Sequence, residues 1–262
     1  MSLGQLNISG LDRVQVAIER LRNFEPEEGY YLAFSGGKDS CVIKSLADMA
    51  GVKYDAHFNV TTVDPPEVLR FIREHHPDVV WEYPKRTMWQ LIADNGMPPT
   101  RIFRYCCRAL KEHGGAGRVV ITGVRKAESV RRSLSRAGLE LGRKHLFDPD
   151  NPSQELIHRC KEHNGKRILN PIIDWSNDDV WEFISAHHIP YCVLYDQGSN
   201  RIGCIGCPCS SKGEREKDFT RWPSYKRAYL RAFDKMLNAR DKGKFRGDWK
   251  NAQDVFDWWM SA

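Results

Sequence analysis

The chain has 262 residues, 41% apolar and 28% charged, a length and balance ordinary for a globular protein with a real core. No apolar run approaches the ~20 residues that cross a bilayer, which excludes a helical membrane protein. The formal net charge of +6 favours anionic partners without separating a nucleotide from a nucleic acid.

In chain order, "MSLGQLNISGLDRV" lacks a basic start followed by an apolar stretch, so no secretory leader and a cytoplasmic location are expected. Leu11, Val14, Ala17, Ile18 and Leu21 then fall at helical spacing, and Gly29 ends that pattern. "YYLAF" (30–34) reads as a buried strand, "SGGKDS" as a loop, and "CVIKSLADMAG" as a helix stopped by Gly51. "KYDAHFNV" is a second strand, and "EVLRFIREHH" a helix entered through Pro65 and Pro66. "DVVWEY" is a strand, "KRTMWQLIADNG" a helix, "CCRALKEHGG" a helix end and "RVVITGV" another strand. Residues 131–165 are polar and without period, which predicts a long loop with short helices. "SNDDVWEFISAHH" is a helix capped by Ser176, and 214–240 and 248–260 form a basic helical tail rich in Trp and Tyr.

The alternation predicts an α/β fold, a Rossmann-like, doubly wound, mostly parallel sheet. The expected division is a nucleotide-binding domain over 1–212, with its first helix within 1–25, and a basic helical extension over 213–262. Between 101 and 145, twelve Arg and Lys face only Glu112, Glu128 and Glu140, an excess suited to several anionic groups or to a solvated basic loop.

The strongest signal is "YYLAFSGGKDSCVIKSL". Gly36 and Gly37 let the backbone approach an anion after the strand, and the following helix turns its positive end toward that point. Ser35, Lys38, Asp39 and Ser40 supply polar groups. The spacing is neither GxxxxGK[ST] nor GxGxxG.

The loop resembles the SGGxDS signature of the PP-loop, or adenine nucleotide alpha-hydrolase-like, superfamily. "TGVRKAESVRRS" (122–133), "NPIIDWSNDDVWEFI" (170–184) and "IPYCVLYDQGSNRIGCIGC" (189–207) narrow this to a resemblance to the phosphoadenylyl-sulfate (PAPS) and adenylyl-sulfate (APS) reductases over residues 25–212. The resemblance implies an adenine nucleotide on Ser35, Gly36, Gly37, Lys38, Asp39 and Ser40, helped by Thr61, Gly123, Arg125, Glu128, Ser129 and Arg132. Arginines suit phosphate and sulfate because their planar fork meets two oxygens at once. Thr62, Asp64 and Glu67 are weaker candidates for the pocket wall.

The eight cysteines are Cys41, Cys106, Cys107, Cys160, Cys192, Cys204, Cys207 and Cys209. In a reducing compartment such clustering reads as metal or catalysis rather than disulfides. The family resemblance implies that the tandem Cys106–Cys107 and the CxxC of Cys204 and Cys207 bind a 4Fe–4S cluster. Zinc is the alternative metal, because four-cysteine sites suit it too. Cys41, Cys160 and Cys192 read as structural. Cys209 is an extra thiol: a substitute ligand for Cys207, a nucleophile, or a turn residue.

The thiol-dependent reductases carry their nucleophile in a pattern ECGLH, and no cysteine follows Cys209 in this sequence. The leading expectation is a reductase of APS or PAPS that releases sulfite, with Cys209 as nucleophile and a thioredoxin-like reductant. An ATP-dependent sulfurtransferase acting on a nucleic acid is the alternative, since a basic, aromatic tail can stack on bases. A packing role for that tail competes with this. A non-catalytic nucleotide- and cluster-binding regulator is the third reading. The sequence does not indicate an oligomeric state.

Overall fold

The computed structural model describes residues 12–128, 139–141, 157–159, 167–239 and 248–261. The chain forms two compact units. The first comprises the described parts of Met1–Phe58, Glu67–Glu82 and His113–Ile202, and the second those of Asn59–Pro66, Tyr83–Glu112 and Gly203–Ala262. The boundaries do not follow the expected cut at 212, because 203–212 and two earlier segments fold with the tail.

The first unit is built on a sheet with strands β1 (Tyr30–Phe34), β2 (Tyr54–Asn59), β3 (Val80–Glu82), β4 (Val119–Ile121), β5 (Leu139–Leu141), β6 (Ile157–Arg159) and β7 (Arg167–Leu169). Their spatial order is β3-β2-β1-β4-β7-β5-β6. β1 pairs parallel with β2 and β4, β4 pairs parallel with β7, and β5 pairs parallel with β6. The β5–β7 pair is antiparallel. The order runs outward in both directions from β1 and β4, the point at which doubly wound sheets open a crevice at their carboxyl ends. The expected α/β class is therefore observed.

Helices α1 (Arg13–Asn23), α2 (Lys38–Ala50), α3 (Pro66–His75) and, after the helices of the second unit, α6 (Asn177–Ala186) accompany the sheet. α1 begins at Asp12, whose carboxylate accepts the Val14 amide at 2.8 Å. α2 stops at Gly51 in left-handed backbone. α6 has a reciprocal cap between Ser176 and Asp179, as the sequence indicates. Leu32, Val42, Ile43, Leu46, Ile72 and Ile121 are buried between these layers. At roughly 1.5–3 kcal/mol per fully buried aliphatic side chain, this packing and not helix propensity holds the unit together.

β5 and β6 correct the expected loop with short helices at 139–141 and 157–159. A three-residue strand is too short to show alternation; pairing of β5 to β7, and of β6 to β5, makes them strands.

The second unit is helical: α4 (Met88–Asn95), α5 (Tyr105–Leu110), α7 (Lys212–Arg221), α8 (Pro223–Asn238) and α9 (Ala252–Ser261). Thr87 and Gln90 cap α4, and Ser211 and Glu214 cap α7. Pro223, at the first position of α8, splits the expected single helix in two. Phe219, Tyr229, Phe233 and Trp259 are buried and in edge or tilted ring contact. The Tyr229 hydroxyl donates to the Ile205 carbonyl at 3.0 Å and the Trp259 indole to that of Pro99 at 2.7 Å. These aromatics are core, not a stacking surface. Among the described residues no helix is long and apolar enough to cross a membrane.

Candidate functional site

In the first unit, β1 ends at Phe34 and the chain turns through Ser35, Gly36 and Gly37 into α2. Gly36 has φ 70°, and a Cβ there would lie 2.8 Å from Val68 Cγ1 and 3.1 Å from Ile72 Cδ1. Glycine is thus required twice, by backbone conformation and by the underlying helix α3. The Ser40 hydroxyl donates to the Gly37 carbonyl at 2.8 Å and accepts the Ser35 amide at 3.2 Å, closing the loop on itself.

Lys38 is 4% exposed and Arg125 3%. Both meet Asp39: Lys38 Nζ lies 3.3 Å from Oδ2 and Arg125 Nε 2.7 Å from Oδ1. Two buried cations share one carboxylate, so positive charge is left over at the start of α2, where the helix dipole has the same sign. Gly123 permits this approach, since a Cβ on it would sit 2.9 Å from Asp39 Cβ. Glu128 accepts the Arg125 amide at 3.1 Å, and Arg125 Nη1 donates to the Trp175 carbonyl at 3.4 Å. Gly123, Arg125 and Glu128 are thus brought to the loop, with Arg125 bracing it. Ser129, Arg131 and Arg132 lie outside the described residues, as does Cys160.

The sequence reading missed Tyr195. Its hydroxyl accepts the Lys38 amide at 2.9 Å, and its ring lies 5.6 Å from Lys38 Nζ. A tyrosine in a loop carries no pattern that marks it for this place. Cys41 and Cys192 are buried, in keeping with structural roles.

In the second unit the tandem cysteines begin α5 and the CxxC lies in the turns before α7. Cys106 is buried and Cys107, Cys204, Cys207 and Cys209 are half-buried. The hydrogen bond from Cys106 holds the Cys107 thiol down, against burial and with help from Lys111 and Arg104. The same bond, with burial, drives Cys106 far up, and Cys204 and Cys207 add negative charge. Burial first, then Cys204, pushes Cys207 up to about 11. Cys107, Cys204 and Cys207 thus each lie within electrostatic range of Cys106.

Cations surround them. The Lys111 ammonium hydrogen-bonds Cys204 and is held charged by it and by Asp64. Arg104 is held charged, against partial burial, by a hydrogen bond to Cys209. Arg101 Nη2 donates to the Cys209 carbonyl at 3.0 Å and its Nε to that of Pro208 at 3.3 Å. Among the described residues no group of three or more Cys, His, Asp or Glu is gathered to hold a metal ion.

Thr61 belongs to this second unit. It is fully buried, its amide and hydroxyl both donate to Asp64 at 2.7 Å, and the Cys204 thiol lies 3.6 Å from its hydroxyl.

Residues 29–210 match the phosphoadenosine phosphosulfate reductase domain. The chain belongs to this family. Among curated relatives, an uncharacterized protein of Methanocaldococcus jannaschii is 27% identical over 73% of this chain and 38% of its own length. An adenosine 5'-phosphosulfate reductase of Allochromatium vinosum is 31% identical over 50% of this chain and 44% of its own. The chain thus spans less than half the length of either relative. A phosphoadenylyl-sulfate reductase structure from Candida auris is 18% identical, covers 78% of this chain and 97% of that one, and has a TM-score of 0.48.

Proposed function

We propose that the protein is an enzyme that binds an adenylyl sulfonucleotide, APS or PAPS, and reduces its sulfate to sulfite. The observation that carries the reading is the surplus positive charge at the start of α2, where Lys38 and Arg125 share Asp39. An anion compensates that charge and meets helix amides as well. Ser35, Gly36, Gly37 and Ser40 would then cradle the phosphosulfate, and Gly123 and Glu128 hold Arg125 in position. Ser129 and Arg132 would add contacts from beyond the described residues.

Cys106, Cys107, Cys204 and Cys207 would hold a 4Fe–4S cluster. The four thiols are of the donor type such a cluster takes and Lys111 and Arg104 lie near them, but among the described residues they are not gathered to hold a metal ion. When bound, such a cluster supplies a polarisable centre that accepts or shares electrons.

Cys209 is the proposed nucleophile, with the Arg104 guanidinium hydrogen-bonded to its sulfur. The thiolate attacks the sulfate sulfur; a sulfur–sulfur bond forms, the bond from that sulfur to the phosphate oxygen breaks, and the nucleoside phosphate leaves. A dithiol reductant of the thioredoxin kind then attacks Cys209 Sγ and expels sulfite. Its second thiol resolves the mixed disulfide, restoring Cys209 and supplying the two electrons.

The test is product analysis with anaerobically purified protein, a dithiol reductant, and APS, PAPS or ATP in turn. Sulfite from either sulfonucleotide supports the reading. Pyrophosphate from ATP only with a nucleic acid present assigns the protein to sulfur transfer instead. Nucleotide binding without turnover makes it a regulator.

A further inference from the structure

Tyr195, in the turns after α6, is half-buried, and its hydroxyl accepts the first amide of α2, that of Lys38, at 2.9 Å. That amide is one of the donors a helix N-terminus leaves for an anion. The ring is fixed without any ligand. It meets the Trp181 ring of α6 edge-on at 5.2 Å and the Tyr191 ring at 6.4 Å. The hydroxyl also faces the glycine loop. A Cβ on Gly37 would lie 3.4 Å from Tyr195 Oη and 3.4 Å from Ser35 Oγ, so two hydroxyls flank the open side of one glycine. A hydroxyl that accepts a hydrogen bond keeps its own proton to give. Among the described residues the Tyr195 hydroxyl has one hydrogen bond, that from Lys38. The neighbouring carboxylate is committed elsewhere: Asp39 Oδ2 meets Lys38 Nζ and Oδ1 meets Arg125 Nε. Burial holds the phenol protonated, against the Lys38 amide, which favours the ionised form. Tyr195 is therefore a neutral donor and not an anion that would repel a phosphate.

We infer that Tyr195 is a binding residue of the anion site, its O–H donating to an anionic phosphate or sulfate oxygen of the nucleotide and so carrying the Lys38 amide's donor outward to the ligand. The inference rests on the proposed adenine nucleotide and adds to it a contact that the 35–40 loop does not itself contain. The physical reason is polarisation. A hydroxyl that accepts from an amide at the positive end of a helix becomes a stronger donor. Its bond to a charged oxygen is stronger than one between neutral groups. The opposite role, a plug that the ligand displaces, would break the ring contacts with Trp181 and Tyr191 to expose a single amide.

The experiment compares wild type and Tyr195→Phe by calorimetry with APS, AMP and adenosine, with circular dichroism as the check on folding. Phe keeps the ring and removes only the hydroxyl. The expected result is an APS affinity about tenfold lower in Phe, with adenosine, which carries no anion, bound as in wild type. Equal losses for APS and AMP place the contact on the phosphate; a loss for APS alone places it on the sulfate. Wild-type or tighter APS binding in the folded variant overturns the contact and leaves the nucleotide reading intact. An equal loss for adenosine also overturns it and makes Tyr195 a packing residue. A measurement on wild type alone holds if Phe does not fold. Saturating inorganic pyrophosphate, transparent in the near ultraviolet, should red-shift a tyrosine band, because donation to an anion polarises the phenol. No shift at saturation overturns the contact. Wild type that binds neither APS nor pyrophosphate overturns the nucleotide reading and the contact together.

Discussion

Arg125 and Asp39, 86 positions apart, meet through Nε and Oδ1 at 2.7 Å at the opening of α2. The pair ties the basic stretch after β4 to the glycine loop after β1. Arg125→Ala leaves Asp39 with Lys38 alone and empties a buried guanidinium site. The expected outcome is a stability loss of about 3 kcal/mol by urea denaturation, together with a loss of adenine nucleotide affinity by calorimetry. Unchanged affinity in a folded Arg125→Ala variant removes the pair from ligand binding.

Gly36→Val tests the loop itself. It forces a β-branched residue into left-handed backbone and drives Cβ into Val68. A cost of at least about 1–2 kcal/mol comes from the backbone alone. Nucleotide binding should vanish, and thermal unfolding should begin earlier. Wild-type affinity in this variant contradicts the assignment of 35–40 to the phosphosulfate.

Cys204→Ser and Cys209→Ser should separate cluster from nucleophile. The first should lose most of its iron and visible absorbance, the second should keep both and lose sulfite release by at least about 100-fold, as for removal of a covalent catalyst. Iron loss in Cys209→Ser makes Cys209 a ligand in place of Cys207. Stoichiometric zinc without iron in the wild type gives the site to zinc.

The pH dependence of stability should carry the mark of His76. Burial first, then Lys44 and His75, lower its pKa from 6.5 to about 4, against the opposing charges of Asp78 and Asp48. Phe34 and Phe71 pack on the ring, and Cys41 Sγ is 3.9 Å from Nε2. The folded state therefore keeps His76 neutral while the unfolded state binds a proton. Stability from this group is full above about pH 6.5 and falls as pH drops toward about 4, by up to about 3 kcal/mol. His76→Gln should flatten that part of the profile in urea titrations at pH 7, 6 and 5. An identical acid limb in both proteins assigns the loss to other groups.

Much of this was legible in the chain. A continuous apolar run at 30–34, two glycines and a helical pattern specify β1, the loop and α2, because each local preference agrees with the packing around it. The same holds for Ser176, whose cap needs only its own backbone and Asp179. Other features depend on partners distant in sequence. β5 and β6 exist through β7, Thr61 is claimed by Asp64 and Cys204, and Tyr195 reaches back to the Lys38 amide. Arg215 looked like one charge among many on a basic helix; only burial against Trp259 distinguishes it.

The second unit is assembled from three separate stretches of chain, and the second of its two interruptions spans 113–202. During synthesis, at about 5–20 residues per second, Cys204 and Cys207 follow Cys106 and Cys107 by on the order of ten seconds. Phe219, Tyr229 and Trp259, which bury Cys106, emerge later still. The tandem thiols thus wait without their pocket while the sheet unit is being made, exposed to oxidants and to stray metal ions. If the proposed cluster binds there, its loading would in consequence follow translation, and its yield in a host cell would depend on how well those two early thiols are kept reduced until the later residues arrive.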